Sequence, residues 1–421
     1  MKKFVIFSVS LFFPLIFLYS GGFQAPSIGA RATGMGGAYT AVANDPLALY
    51  WNPAGMGLVK GKVLSVGVTS VKGRAKYETV ENLLFSIPEG EVEKNKVPWV
   101  FIPHSAFAME ISDKFSMGAG LFTPYGLKQI WEENSYYKYN AIRSEIWLNV
   151  LQVGVSYRFG EKLFMGGCLG KGYATMRAKQ TALLSAMGFP IETKVKLSST
   201  SESLVGSLGI LWNPVENWDI GVVWRSSSSH NFKGEVDFSP KGMDSFERDM
   251  EMKFTFPQSA SLGVAYKGFE NWLFSFQIDW TDWSVLDKLE EKLDESIPLF
   301  DPVVGVKYVD EIEIERDWKD TFSYHFGAEY LLNDKFSLRF GYMWDPSPVP
   351  EETLDPLMFD VSVHRFSLGI GYRAESWSLD LAFMYSQGLS REVEDSENAF
   401  PTDGEYWGSS QIVELTFNCY F

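Results

Sequence analysis

Residues 365–373 read Arg365-Phe366-Ser367-Leu368-Gly369-Ile370-Gly371-Tyr372-Arg373. Phe366, Leu368, Ile370 and Tyr372 are large and apolar; every residue between and beside them is polar or glycine. A period of two puts alternate side chains on opposite faces of an extended chain, so this stretch is a strand with one greasy face. The pattern recurs. Trp272, Phe274, Phe276, Ile278 and Trp280 alternate with Ser275, Gln277, Asp279 and Thr281; Phe336, Leu338, Phe340, Tyr342 and Trp344 alternate with Ser337, Arg339 and Gly341. Phe322/Tyr324/Phe326/Ala328/Tyr330 and Trp377/Leu379/Leu381/Phe383/Tyr385 repeat it.

A soluble antiparallel sandwich also alternates. Composition and connections separate the two cases. Aromatics are 16% of the 421 residues, with 14 Trp and 33 Phe, and they cluster at the ends of the apolar faces, as lipid–water interfaces favour. Short turns near 112–114, 160–162, 213–217, 268–271, 333–335 and 374–376 alternate with polar loops near 73–97, 127–143, 180–201, 239–250, 287–318, 346–362 and 389–408. That is the pattern of short periplasmic turns and long external loops. The chain is therefore expected to be all-β, a transmembrane antiparallel β-barrel of about 14 strands. The last strand carries Val413, Leu415, Phe417, Cys419 and Phe421 on the lipid parity, and a terminal aromatic there suits barrel assembly. Cys168 lies nearer the lumen parity, so no bridge to Cys419 is expected.

Three segments follow. Residues 1–20, with Lys2 and Lys3 before an apolar run, read as a signal peptide. Without those lysines the net charge goes from −16 to −18, which argues against nucleic acid as a partner. No later run of eighteen apolar residues offers a spanning helix. Residues 61–421 form the barrel. Residues 21–60 are too apolar and glycine-rich for a loose tail. Asn44-Asp45-Pro46 can start a helical turn over 47–50, which Asn52-Pro53 then breaks. Such a piece is most economically an N-terminal hatch (plug) inside the lumen, its backbone bonded to the polar lumen face. The glycines at 34, 36 and 37 complete no phosphate-loop spacing.

The chain resembles the FadL/TodX (OMPP1) family of outer-membrane transporters of long-chain fatty acids and other hydrophobic compounds. The resemblance rests on an ordered set: Gly21-Gly22-Phe23-Gln24 as the mature amino terminus, Asn52-Pro53-Ala54 as the hatch motif, and Thr123-Pro124-Tyr125-Gly126-Leu127 with Ser144-Glu145-Ile146. Further on come Phe256-Pro257-Gln258-Ser259, Asp279-Trp280-Thr281-Asp282-Trp283-Ser284, Trp318-Lys319-Asp320-Thr321 and Asp345-Pro346-Ser347-Pro348-Val349-Pro350. It implies a fourteen-stranded barrel in the outer membrane closed by a hatch. It also implies capture of ligand between the third and fourth external loops, and a third strand kinked inward to leave a lateral opening. Phe23, Asn52, Pro53, Ala54, Pro124, Tyr125 and Gly126 are then the gating positions. Pro124 lacks an N–H and Gly126 a side chain; the residues alone equally allow Pro124 simply to end the strand.

Parity also points to a greasy chamber. Val100, Ile102, Phe122, Ile146, Leu148 and Val150 face the upper lumen, where apolar side chains need covering by the hatch or by a ligand. Leu183, Leu184, Met187 and Phe189 lie in the third external loop and Met243, Phe246 and Met250 in the fourth. Such patches mark binding surfaces or fold down over the rim. Both loops read as short. His104, His230, His325 and His364 sit in no catalytic motif, and no metal cluster or cofactor is expected. The expected protein is a non-enzymatic monomer in outer-membrane lipid that carries a hydrophobic small molecule, a long-chain fatty acid or a hydrocarbon. A channel for aromatic or alkane hydrocarbons, a general porin and a surface adhesin or receptor are the rival readings. Arg339 and Arg365 are the lumen-parity cations that could hold a carboxylate.

Overall fold

The computed structural model describes residues 21–81, 87–301, 305–354, 359–398 and 402–421; the leader expected over 1–20 lies outside them. Among the described residues, twenty strands form one antiparallel sheet. In chain order they are β1 Lys62–Thr79, β2 Val92–Lys94, β3 Val100–Ser112, β4 Phe115–Ile130, β5 Arg143–Phe159, β6 Leu163–Ala186, β7 Phe189–Trp212, β8 Trp218–Arg225, β9 Ser228–Pro240 and β10 Phe246–Phe256. Then follow β11 Ser259–Tyr266, β12 Trp272–Thr281, β13 Lys288–Asp301, β14 Gly305–Glu315, β15 Thr321–Leu331, β16 Phe336–Asp345, β17 Val363–Arg373, β18 Trp377–Gly388, β19 Arg391–Val393 and β20 Gly404–Tyr420.

The wall closes on itself. Pairing runs β1–β3–β4–β5–β6–β7–β8–β11–β12–β15–β16–β17–β18–β20 and returns to β1, from Val63↔Tyr420 to Thr79↔Gly404. Closure leaves no edge, which is how a sheet satisfies its backbone in lipid. The alternation is realised as read: in β17, Phe366, Leu368 and Ile370 face outward, while Arg365 and Ser367 are buried inside. No helix among the described residues is long and apolar enough to cross a membrane.

The count of about fourteen strands needs correction, because the sheet holds twenty. The six outside the wall are β2, β9, β10, β13, β14 and β19. Four of them lie in stretches read as polar loops. The other two arise where long strands break and leave the wall, between Arg225 and Ser228 and at Pro257-Gln258; Pro257 supplies no ladder N–H. Nor are the third and fourth loops short. The β6–β7 ladder stays paired up to Ala186↔Phe189, far beyond the 9–11 residues that span a bilayer.

These extensions build a second, smaller circuit. β7 pairs with β9, β9 with β10, β10 with β13, and Leu299 of β13 bridges Leu184 of β6. Here the polarity inverts. Val195, Leu197, Val236, Phe238, Met250, Met252, Leu293 and Ile297 are buried inside, while Lys194, Lys196, Glu235, Glu251 and Lys292 face out. The wall is greasy outside because it meets lipid. The turret is charged outside because it meets water, and it hides its apolar face within.

Residues 21–61 run through the bore. They hold two short helices, α1 Ala30–Gly34 and α2 Ala48–Trp51, and a 3₁₀ turn over Pro53–Leu58. The helical turn expected over 47–50 is thus α2, ended by the extended Asn52 (φ −157°).

Candidate functional site

The amino-terminal segment is seated by hydrogen bonds from its backbone and from Arg31 to polar lumen side chains. Gly29 N donates to Glu414 Oε1 (2.6 Å) and Ala30 N to Thr416 Oγ1 (2.9 Å). Tyr39 N and Thr40 N both donate to Gln277 Oε1 (3.0 and 2.8 Å). Arg31 reaches the wall as a two-pronged clamp, Nε to Glu329 Oε2 (2.9 Å) and Nη2 to Oε1 (2.8 Å). These bonds meet the need that a buried backbone has for partners. Lower down, Asn52 caps the 3₁₀ turn at Ala54 N and donates to Thr40 O (2.9 Å) and Ile210 O (3.0 Å). Pro53 and Ala54 press on two wall glycines. A Cβ at Gly166 would stand 2.4 Å from Pro53 C, and one at Gly209 2.2 Å from Asn52 Oδ1. Only glycine allows that approach. His104 and His325 belong to the same seating: His325 Nδ1 lies 2.8 Å from Gly36 O, and His104 Nε2 3.3 Å from Thr416 Oγ1.

The wall has a gap beside this segment. β3 and β4 pair from Ser112↔Phe115 to Ser105↔Leu121 and then part. Lys96 N donates to Ile130 O (2.7 Å) above the gap. Within it, the β4–β5 register slips between Phe122 and Tyr125, at Thr123 and Pro124. The freed backbone finds the tail instead: Ala25 N donates to Pro124 O (2.8 Å), Gly126 N to Phe23 O (3.2 Å), and Gln24 bridges Tyr125. Pro124 therefore does not end its strand, which continues to Ile130.

Above the gap, Phe23 stands in an aromatic basket. Its ring centroid lies 4.8 Å from Trp283, 5.6 Å from Tyr125 and Phe254, 5.7 Å from Phe256 and 5.9 Å from Trp318. Phe254 and Phe256 end β10, so the basket is the floor of the turret. Beside it opens a cleft of about 600 Å³, solvent-open space included, lined by Tyr50, Phe122, Leu148, Val150, Phe256 and Arg225 among others. Arg225 donates through Nη2 to the carbonyls of Tyr50 (2.9 Å) and Trp51 (3.0 Å) and lies over the Tyr50 ring. Its Nε is buried without a partner among the described residues. In the loop above, Gly22 N faces Asp360 Oδ2 (3.4 Å), and burial holds that carboxyl well above the usual carboxylate range.

The turret mouth carries a second hollow of similar size, lined by Leu184, Ile191, Pro240, Met243, Phe246, Arg248 and Pro298 among others. Phe246 stacks on Phe238 at 4.8 Å.

The expected site residues thus divide. Phe122, Leu148 and Val150 line the inner cleft, and Ile146 packs in the core above it. Ile102 lines a smaller hollow at the wall gap with Thr123 and Gly126. Val100 is half-buried and lines none of these hollows. Leu184 and Phe246 meet at the mouth. Leu183 is half-buried, and Met187 and Phe189 are exposed at the β6–β7 tip, away from the hollow. Arg339 and Arg365 are spent on the wall: Arg339 holds Glu329 (2.6 Å) and Asp380 (2.7 Å), Arg365 holds Asp345 (3.0 Å) and Ser386 (2.7 Å). The cation at the cleft is Arg225, unremarked in the sequence although it sits on the inward parity opposite exposed Trp224. Cys168 and Cys419 are both free.

The family described as outer membrane protein transport protein (OMPP1/FadL/TodX) matches residues 16–421. Outer membrane protein P1 of Haemophilus influenzae is 24% identical, over 92% of this chain and 91% of that one. The long-chain fatty acid transport protein of Escherichia coli K12 is 21% identical, over 92% and 93%. Among solved structures, a Pseudomonas aeruginosa FadL homologue superposes with TM-score 0.81 at 18% identity, covering 95% of this chain and all of that one. The Pseudomonas putida toluene transporter TodX gives 0.75 at 18%, covering 94% and 99%.

Proposed function

The chain belongs to the OMPP1/FadL/TodX family of outer membrane transport proteins, and we propose that it moves long-chain fatty acids or similar hydrophobic molecules inward through its turret and wall gap. It is a multi-pass β-barrel of the outer membrane. Ligand is captured in the apolar mouth around Leu184 and Phe246. It then replaces Phe23 in the aromatic basket, passes to the cleft, and leaves sideways between β3 and β4 once the Gln24–Tyr125 bridge opens. Residues 21–60 act as the hatch throughout, with Asn52-Pro53-Ala54 anchoring its base. Transfer of apolar carbon from water drives each capture step, at about 0.8 kcal/mol per CH₂. The barrel works as a monomer, its outward Phe and Leu side chains solvated by lipid, and needs no catalytic residue.

One observation carries this reading: the tail, the wall gap and the apolar cleft adjoin, so moving Phe23 alters all three. The unpartnered Arg225 Nε supports a carboxylate-bearing ligand, because a buried donor left unpaired costs about 1–3 kcal/mol. The rest of the lining is aromatic and aliphatic, which supports the second reading, a hydrocarbon. Proteoliposomes test both. Labelled oleate or toluene should enter faster than in empty vesicles while arabinose stays out. Free passage of arabinose would make the protein a porin; exclusion of both greasy probes would end the transport reading.

A further inference from the structure

Glu291 is a carboxyl on the wrong face. It lies on the inward parity of β13, in the turret interior, where its cross-strand partners are Met252 on β10 and Ile312 on β14. All three are buried, and Glu291 is fully so. Neither Oε1 nor Oε2 has a hydrogen-bond partner among the described residues. Its chain neighbours obey the turret rule: Glu290 and Lys292 point outward and pair with Lys288 and Glu311. Glu291 breaks it.

The surroundings define what it can hold. From β10, Met250, Met252 and Phe254 share its face, while Glu251 and Lys253 are on the other. From β14 come Ile312 and Ile314, with Glu311 and Glu313 outside. β7 and β9 offer Val195, Leu197, Phe232, Val236 and Phe238, and β6 offers Gln180, Ala182 and Leu184. Among the described residues, the other titratable groups on the inner faces of the five-strand circuit stand at its ends, and fully buried Arg316 follows Ile314 on the inward parity just past β14. Arg248 at the mouth is held by Glu295 (3.0 Å), and His230 near the floor lies 2.7 Å from Ser228 Oγ. Among the described residues no cation is paired with Glu291, and burial lifts its carboxyl well above the usual range. An uncharged carboxyl has one O–H to give and a carbonyl oxygen to receive with. Leaving both idle in an apolar chamber is costly.

We propose that Glu291 is a polar station on the ligand's route, hydrogen-bonding an uncharged hydroxyl-bearing head group, that of a fatty alcohol or of a fatty acid in its protonated form. This deepens the transport reading and rests on it. An apolar chain lies along Met252, Ile312 and Phe232, while its head exchanges two hydrogen bonds with the carboxyl. An ionised head would bring a negative charge into a site with no counter-ion among the described residues.

The test measures equilibrium binding to the full-length protein of 1-decanol, decanoate at pH 5 and at pH 8, and pentylbenzene, which has no head group. Glu291→Leu should weaken 1-decanol about five- to tenfold, leave pentylbenzene within twofold, and leave or improve decanoate at pH 8. Decanoate at pH 5 should lose affinity in that variant if the protonated acid is a ligand; a loss confined to 1-decanol limits the station to alcohols. Equal shifts for 1-decanol and pentylbenzene, or no shift for either, would overturn the proposal. Wild-type protein that binds none of the probes would sink the transport reading instead. Should Glu291→Leu fail to fold, infrared spectra of wild type and Glu291→Gln decide. A protonated-carboxyl band lost in Glu291→Gln should move on adding 1-decanol and not on adding pentylbenzene; an absent or unmoved band overturns the station.

Discussion

Replacing Arg31 by alanine isolates the grip between hatch and wall. Arg31 makes four hydrogen bonds. Two stay within the hatch, to Asn44 Oδ1 (2.6 Å) and Tyr39 OH (3.2 Å); two cross to Glu329. Removing one partner of a buried ion pair costs about 3–5 kcal/mol. The lower end applies here, because the Arg31 side chain keeps 18% exposure and Glu329 keeps Arg339 Nε at 2.6 Å. At about 1.36 kcal/mol per decade, a loss of about 3 kcal/mol falling wholly on the seated state raises the unseated population roughly 150-fold. Single-channel recording in planar bilayers reads this directly. Wild type should show rare brief openings, and Arg31→Ala should show them at least tenfold more often, with Arg31→Lys between. The hatch should not leave altogether, since the bonds to Glu414, Thr416 and Gln277 remain. If Arg31→Ala lowers the unfolding midpoint yet leaves opening frequency untouched, the clamp stabilises the barrel and does not seat the hatch. The reasoning would then fail.

Arg225→Ala should reduce oleate affinity about tenfold or more while changing toluene little, because only a carboxylate uses the free Nε; equal losses in a direct binding assay would deny that role. Gly166→Ala drives a Cβ into the Pro53 backbone, overpacking worth about 1–3 kcal/mol, so openings in the same bilayer recording should rise about five- to hundredfold. Gly206→Ala, whose nearest atom would be 3.4 Å away, should leave them unchanged. For pH, burial raises the Glu291 carboxyl. Its contribution to turret stability is then full below the ordinary glutamate value of about 4.3 and is lost as pH climbs through the raised value. Limited proteolysis of β13 should therefore quicken from pH 6 to pH 10 in wild type, with a flatter profile in Glu291→Gln.

The wall was legible because one rule governs it. A face that meets lipid must be apolar, so Phe366, Leu368 and Ile370 declare both strand and orientation. The lumen seat of residues 21–61 was legible for the complementary reason: a glycine-rich apolar segment needs backbone partners, and residues such as Glu414 and Gln277 supply them. The wall glycines that admit it, Gly166 and Gly209, carried no such signal, since a glycine on the lumen parity looks the same whether or not a proline rests on it.

The turret is hidden in the sequence because its outward residues are as polar as those of loops between greasy strands. The period of two never stops there. Lys194-Val195-Lys196-Leu197, Glu235-Val236-Asp237-Phe238, Glu251-Met252-Lys253-Phe254 and Glu311-Ile312-Glu313-Ile314 all alternate, but charge takes the place that serine and glycine hold in the wall. That exchange is a physical boundary marker. In lipid the inward residues are small or polar because the hatch and lumen fill the bore, and in water the outward ones are charged because nothing else faces solvent as well. Leu204 and Leu208 of β7 are largely exposed, and so is Lys196 of the same strand, so the exchange from apolar to charged outer face falls between them. What periodicity could not supply is closure of the turret circuit, which depends on Leu184 meeting Leu299 from distant parts of the chain. Without that closure, Glu291 reads as one more acidic residue in a solvated run. With it, Glu291 is a carboxyl shut inside an apolar chamber.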